Sequence, residues 1–116
     1  MAVERDGALI RDILGACREV RAYVGHGGYD TFVADGKAYR AVERCLEIIG
    51  EAARALSPAC QQVYAQVPWR KIVGLRNRLS HEYGDIDYEE IYLIATVSVP
   101  ELIETLGGKG SRPPPT

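Results

Sequence analysis

The sequence predicts an all-α fold: an up-and-down bundle of about four main helices with short extra helices. Two observations carry this. Apolar residues recur at spacings of three and four along most of the 116-residue chain, which is the period of one helix face and not of a strand. The breaks between those runs hold helix stops and starts: Gly25-His26-Gly27-Gly28, Asp35, Ser57-Pro58, Val67-Pro68 and Gly84-Asp85-Ile86-Asp87. There is no internal repeat, and no strand alternation competes with the helical period. A hydrophobic fraction of 47% and a charged fraction of 26% are enough for one packed core.

The elements follow in order. Residues 5–24 form the first helix, with Leu9, Ile10, Ile13, Leu14, Cys17, Val20 and Val24 on one stripe. The glycine run ends it and leaves His26 in an exposed loop. Tyr29 to Ala34 is a short turn or single helical turn anchored by Phe32, the only phenylalanine. Asp35 caps a long second helix over 36–56. Its stripe of Tyr39, Val42, Leu46, Ile49, Ala53 and Leu56 is widened by Cys45, Ile48 and Ala52, so it should meet more than one neighbour. Ser57-Pro58 starts a short helix to about Gln66, with Val63 and Tyr64 inward. Val67-Pro68 then opens the helix of Trp69 to Tyr83, whose core face is Trp69, Ile72, Val73, Leu75 and Leu79. Asp87 with Glu90 reads as a capping box for the last helix, where Ile91, Ala95, Val99, Leu102 and Leu106 form the stripe. Pro100 should kink or split that helix, because proline lacks the amide and clashes with the preceding turn. Residues 1–106 are thus the helical domain, and 107–116 are a disordered tail too polar and glycine- and proline-rich to bury a core.

A net charge of −2 excludes a uniformly basic protein but permits a local basic patch. No apolar run approaches the roughly 18 residues that span a bilayer. The first residues also lack the basic-then-apolar layout of a signal peptide, so a soluble, cytoplasmic protein without membrane contact is expected. Cys17, Cys45 and Cys60 include no CxxC pair and read as reduced thiols. No metal or cofactor is expected, since the two histidines are not spaced to join the cysteines in a zinc site.

The chemistry concentrates between Trp69 and Tyr83. Arg70, Lys71, Arg76 and Arg78 gather there against Glu82 alone, which makes a local anion site. Phosphate is a natural target for the guanidinium fork. At about 100° per residue, Arg76, Ser80 and Tyr83 share one face, Asn77 and His81 share a neighbouring one, and Arg76 and His81 stand about 140° apart. A distorted helix near His81, a long reach by Arg76, or a second copy of the chain would each bring them together. The homodimer is the arrangement preferred here. Histidine takes and gives protons near neutral pH, and arginine stabilises charge developing on phosphorus. Such a pair could cleave RNA, with the 2′-hydroxyl attacking its own phosphate. The bland alternative is a solvated helix face that carries one histidine.

Arg76-Asn-Arg-Leu-Ser-His81-Glu-Tyr83 is an R-x4-H-x-Y motif, and it resembles the signature of the HepT-like toxins of the HEPN superfamily. The stretches Ala41 to Ala53 and Val67 to Asn77 resemble that family's second-helix block and its approach to the motif. The likeness covers nearly the whole chain. It implies a homodimeric HEPN bundle and a metal-independent endoribonuclease toxin acting on tRNA or mRNA. Arg76 and His81 would be catalytic, supported by Asn77 and Ser80, with Arg70, Lys71 and Arg78 contacting the RNA backbone. It further implies a cognate MntA-like nucleotidyltransferase antitoxin that adds AMP to Tyr83. A second reading is a non-catalytic nucleotide- or RNA-binding partner of a nucleotidyltransferase.

Overall fold

The structure, a computed structural model, describes residues 2–80 and 87–107. Every regular element among these residues is helical. Helix α1 (Ala2–Val24) buries Ile13, Leu14, Ala16, Cys17 and Val20; of the expected stripe, Leu9, Ile10 and Val24 are half-buried against the core, and Ala16 is added. Gly25 and Gly28 take φ of 62° and 90°, backbone that side chains with a Cβ resist, so the chain turns sharply there and His26 is exposed. Helix α2 (Tyr29–Ala34) inserts Phe32, which is 2% exposed. Helix α3 (Gly36–Ala55) starts where the Asp35 carboxylate accepts from the Ala38 amide at 3.1 Å.

Helix α3 is the central element. It packs along α1 on one side and along α5 (Trp69–Leu79) on the other, which is why its apolar face is wider than one seam. Helix α4 (Pro58–Val63) begins with Ser57 accepting from the Cys60 amide at 3.1 Å. Ser57 is itself held by α1: its amide and hydroxyl donate to Asp6 at 2.9 and 2.6 Å. The expectation that Val63 and Tyr64 both face inward is corrected. Tyr64 packs against the core, while Val63 is 72% exposed. Adjacent helical residues point about 100° apart, so one pocket cannot take both. Trp69 docks the start of α5 by donating its indole N–H to the carbonyls of Gln61 and Tyr64, both at 3.1 Å.

The last helix is α6 (Tyr88–Leu93), a π-helical turn (Ile94–Ser98) and α7 (Val99–Leu106), which run on without a break. Pro100 does not split it. The Val99 amide reaches back five residues to the Ile94 carbonyl, and this wide turn absorbs the register change just before the proline. Asp87 caps α6 by accepting from the Glu90 amide at 2.8 Å. The reciprocal half of the expected capping box is not made, because both Glu90 carboxylate oxygens face Arg78. Gly107 closes α7 by donating to the Ile103 carbonyl and is buried against Leu14. The fold therefore extends one residue into the glycine run, and the tail expected over the rest lies outside the described residues.

The core runs between α1, α3 and the last helix from α6 to α7, with Ile13, Val42 and Ile91 fully buried; each such side chain stabilises the fold by about 1.5–3 kcal/mol. The cysteines are free, and Cys17 and Cys45 are buried. Burial pushes the Cys17 thiol up to about 12, so it stays protonated and inert. No helix is long and apolar enough to cross a membrane among the described residues.

Candidate active site

Helix α5 is the least enclosed of the long helices. Only Trp69 is buried; Ile72, Val73, Leu75 and Leu79 are half-buried against the core. One flank of α5 lies on α3, and the other faces the last helix across a cavity of about 170 Å³ lined by Leu46, Ile49, Ile72, Leu75, Val99 and Leu102 among others. Both flanks carry arginines.

On the α3 flank, Arg76 lies over Gly50. A Cβ added at Gly50 would overlap the Arg76 Cβ, and would stand 2.9 Å from its Cγ and 3.2 Å from the Ile72 carbonyl oxygen. Glycine is thus the residue that lets the two helices meet at the arginine. The side chain is held at its far end. Nη2 donates to Glu51 on α3 at 3.3 Å, and Nη1 donates to the Asn77 side chain at 3.2 Å. The Nε is buried without a hydrogen-bond partner among the described residues. Arg76 remains 25% exposed, so the guanidinium is fixed from beneath and open at one edge.

On the opposite flank, Arg78 makes a two-point ion pair with Glu90 of α6, at 2.9 and 3.0 Å. That pair takes one N–H from each Nη nitrogen of Arg78. Arg70 and Lys71 are exposed in the first turn of α5. Ser80 ends the helix, with its hydroxyl and amide donating to the Arg76 carbonyl at 2.9 and 3.0 Å. The cation cluster, which the sequence opposes only with Glu82, is in fact met by carboxylates from two other elements.

His81 and Tyr83 lie outside the described residues, as does Glu82. Both ends of that six-residue segment are anchored. Before it, Ser80 caps α5. After it, Asp87 caps α6, the Tyr88 ring packs edge-on against Tyr39 at 4.6 Å, and Glu90 holds Arg78. Burial, with Glu43 nearby, pushes the Tyr39 phenol up to about 12, so Tyr39 stays neutral at any physiological pH. The structure thus brings Arg76, Asn77 and Ser80 to one end of α5 and places Arg70, Lys71 and Arg78 on other parts of it.

Sequence reasoning missed Gly50 and Glu51. The available signal was a glycine inside a long helix on its apolar side. Such a glycine costs about 1 kcal/mol relative to alanine and marks a close approach.

Among the described residues, no cluster of histidine, cysteine and carboxylates could hold a metal ion. What the arrangement supplies is a fixed cation with donors available to an anion, near the end of a helix that Ser80 caps.

The structure thus defines an all-α helical bundle that holds an arginine fast near the end of one helix. Residues 13–107 match the family model described as Ribonuclease HepT-like, and the chain belongs to that family. A Methanocaldococcus jannaschii protein, provisionally named an RNase, is 37% identical over 95 residues, covering 82% of this chain and 87% of its own. One from Caldanaerobacter subterraneus, named in the same way, is 36% identical over 93 residues, 80% of this chain and 83% of its own. A Thermococcus cleftensis protein, provisionally named ribonuclease HepT, is 28% identical over 93 residues, 80% of this chain and 84% of its own. No solved structure matches. The membership supports an RNase role.

Proposed function

We propose that the chain is the toxin of a toxin–antitoxin pair: a metal-independent endoribonuclease that cleaves tRNA or mRNA in the cytoplasm as a homodimer. The observation that carries this reading is the anchored Arg76. A guanidinium held by Glu51 and Asn77 over Gly50 is what charge stabilisation at phosphorus needs. It sits five positions before His81 in a chain of the HepT-like ribonuclease family.

In this reading His81 takes the proton from an RNA 2′-hydroxyl. The 2′-oxygen bonds to the adjacent phosphorus, and Arg76 stabilises the negative charge gathered on the phosphoryl oxygens. The bond to the 5′-oxygen breaks, and that oxygen picks up a proton. The products are a 2′,3′-cyclic phosphate and a 5′-hydroxyl. Asn77 and Ser80 support the end of α5, and exposed Arg70 and Lys71 hold the RNA backbone without reading its sequence. Two copies would meet across the half-buried apolar face of α5 and the exposed Leu93 and Val97, so that His81 of one could serve Arg76 of the other. A nucleotidyltransferase antitoxin neutralises the enzyme by adding AMP to Tyr83. The added phosphate puts bulk and negative charge beside the arginine.

The test is RNA cleavage in the presence of a chelator, with end-group analysis of the products. The parent should yield cyclic phosphate ends and slow the growth of its host. Arg76→Ala and His81→Ala should do neither while still eluting as dimers. Both variants cutting like the parent, or a monomeric parent at micromolar concentration, would reject the reading. Mass spectrometry after co-expression with the antitoxin should find AMP-sized additions at Tyr83.

A further inference from the structure

We propose that Glu51 is the positioning residue for Arg76, so that this helical carboxylate, 25 residues away in sequence, sets the catalytic competence of the site. This rests on the ribonuclease reading above.

Arginine has a long side chain with many rotamers, and an unrestrained one on a helix shoulder samples most of them. At Arg76 that freedom is removed in two places. The stem is pinned where α5 crosses α3, because Gly50 offers no Cβ and the Arg76 Cβ and Cγ occupy the space. The head is pinned by Glu51, the next residue on α3, through Nη2 at 3.3 Å. The glycine that admits the arginine and the carboxylate that aims it are therefore neighbours on one rigid element. Asn77 takes one N–H of Nη1 at 3.2 Å. Each Nη nitrogen carries two N–H groups, so among the described residues one on each is left for an anion, and such a pair can hold a phosphate at two points. The Nε is buried and unpartnered among the described residues, which keeps the remaining edge of the guanidinium turned from water. Glu51 itself is 49% exposed and lies outside the core, so changing it removes little packing.

A positioning role has a distinct kinetic signature. Displacing a catalytic group by about 1 Å can cost on the order of 100-fold in rate, whereas lost backbone contacts raise KM. The experiment is RNA cleavage by purified Glu51→Ala, Glu51→Gln, Arg76→Ala and Glu47→Ala proteins, with melting temperatures measured in parallel. Glu51→Ala should lower kcat about 10- to 100-fold with KM and melting temperature little changed. Glu51→Gln, whose amide oxygen can still accept from Nη2, should recover part of that loss. Glu47→Ala, which removes an equal charge one turn earlier on α3, should cut like the parent. The Arg76 Nε–H signal in nitrogen-correlated NMR should exchange faster with water in Glu51→Ala.

The proposal fails if Glu51→Ala cuts like the parent, raises KM alone, or leaves the Arg76 Nε–H exchange unchanged. It also fails if Glu47→Ala loses as much activity. When Arg76→Ala is inactive and Glu51→Ala fully active, only the positioning role is lost. A parent that cuts no RNA overturns the ribonuclease reading and this proposal together.

Discussion

At the scale of single residues, the site turns on Gly50. Alanine there gains about 1 kcal/mol of helix propensity. It also places a methyl group on the Arg76 Cβ and 3.2 Å from the Ile72 carbonyl, an overpacking that typically costs about 1–3 kcal/mol. Gly50→Ala should therefore be destabilised by up to about 2 kcal/mol in denaturant melts, and it should lose RNA cleavage because α5 must shift with Arg76. Gly15 on α1 is the contrast: a Cβ there meets nothing within 4 Å. Gly15→Ala should gain up to about 1 kcal/mol and cut normally. Equal stability changes at the two glycines would show that the crossing is looser than the structure has it. Arg76 could be picked out in the sequence because its spacing to His81 is local. Glu51 could not, because its pairing depends on how α5 lies on α3, which helical periodicity leaves open.

The element scale shows why the caps and the stripe of the last helix were legible and its π turn was not. Asp35, Ser57 and Asp87 act on amides three residues away, so a short window of sequence contains the whole interaction. The π turn before Pro100 does not announce itself in this way: the proline warns of a register problem but not of its solution. Glu90 is a similar case. The capping-box pattern sends its side chain back toward Asp87, but a two-point pair with Arg78 across α5 and α6 wins, consistent with the strength of a guanidinium–carboxylate fork. At 39% exposure on each side, that pair contributes only about 0–1 kcal/mol to global stability. Its consequence is local, since it ties the two helices that flank residues 81–86. Glu90→Gln should change the denaturation midpoint little while speeding amide hydrogen exchange at Tyr88 to Ile91. Unchanged exchange would mean that the Asp87 cap and the Tyr39–Tyr88 contact suffice.

For the whole molecule, the all-α bundle was legible because four long stripes each had to find a partner, and α3, with the widest stripe, became the centre. How the ends are tied together was not legible, because it rests on polar contacts between distant residues. Asp6 is the main example: from α1 it accepts both the amide and the hydroxyl of Ser57, 51 residues away, and so fastens the connection between α3 and α4 to the first helix. Those two hydrogen bonds, the side-chain one foremost, hold the Asp6 carboxyl below its ordinary value. A carboxyl whose folded value is depressed binds protons more readily in the unfolded chain. Its stabilising effect is therefore fully present above the unfolded value, and it is lost as pH falls through the lower folded value. The parent's melting temperature should fall as pH drops below the ordinary carboxylate range. Asp6→Asn, which cannot ionise, should melt lower than the parent at neutral pH and show a shallower acid decline. If the two proteins lose stability in parallel from pH 5 to pH 2, the Asp6–Ser57 fastening does not govern the acid response, and the other carboxylates do.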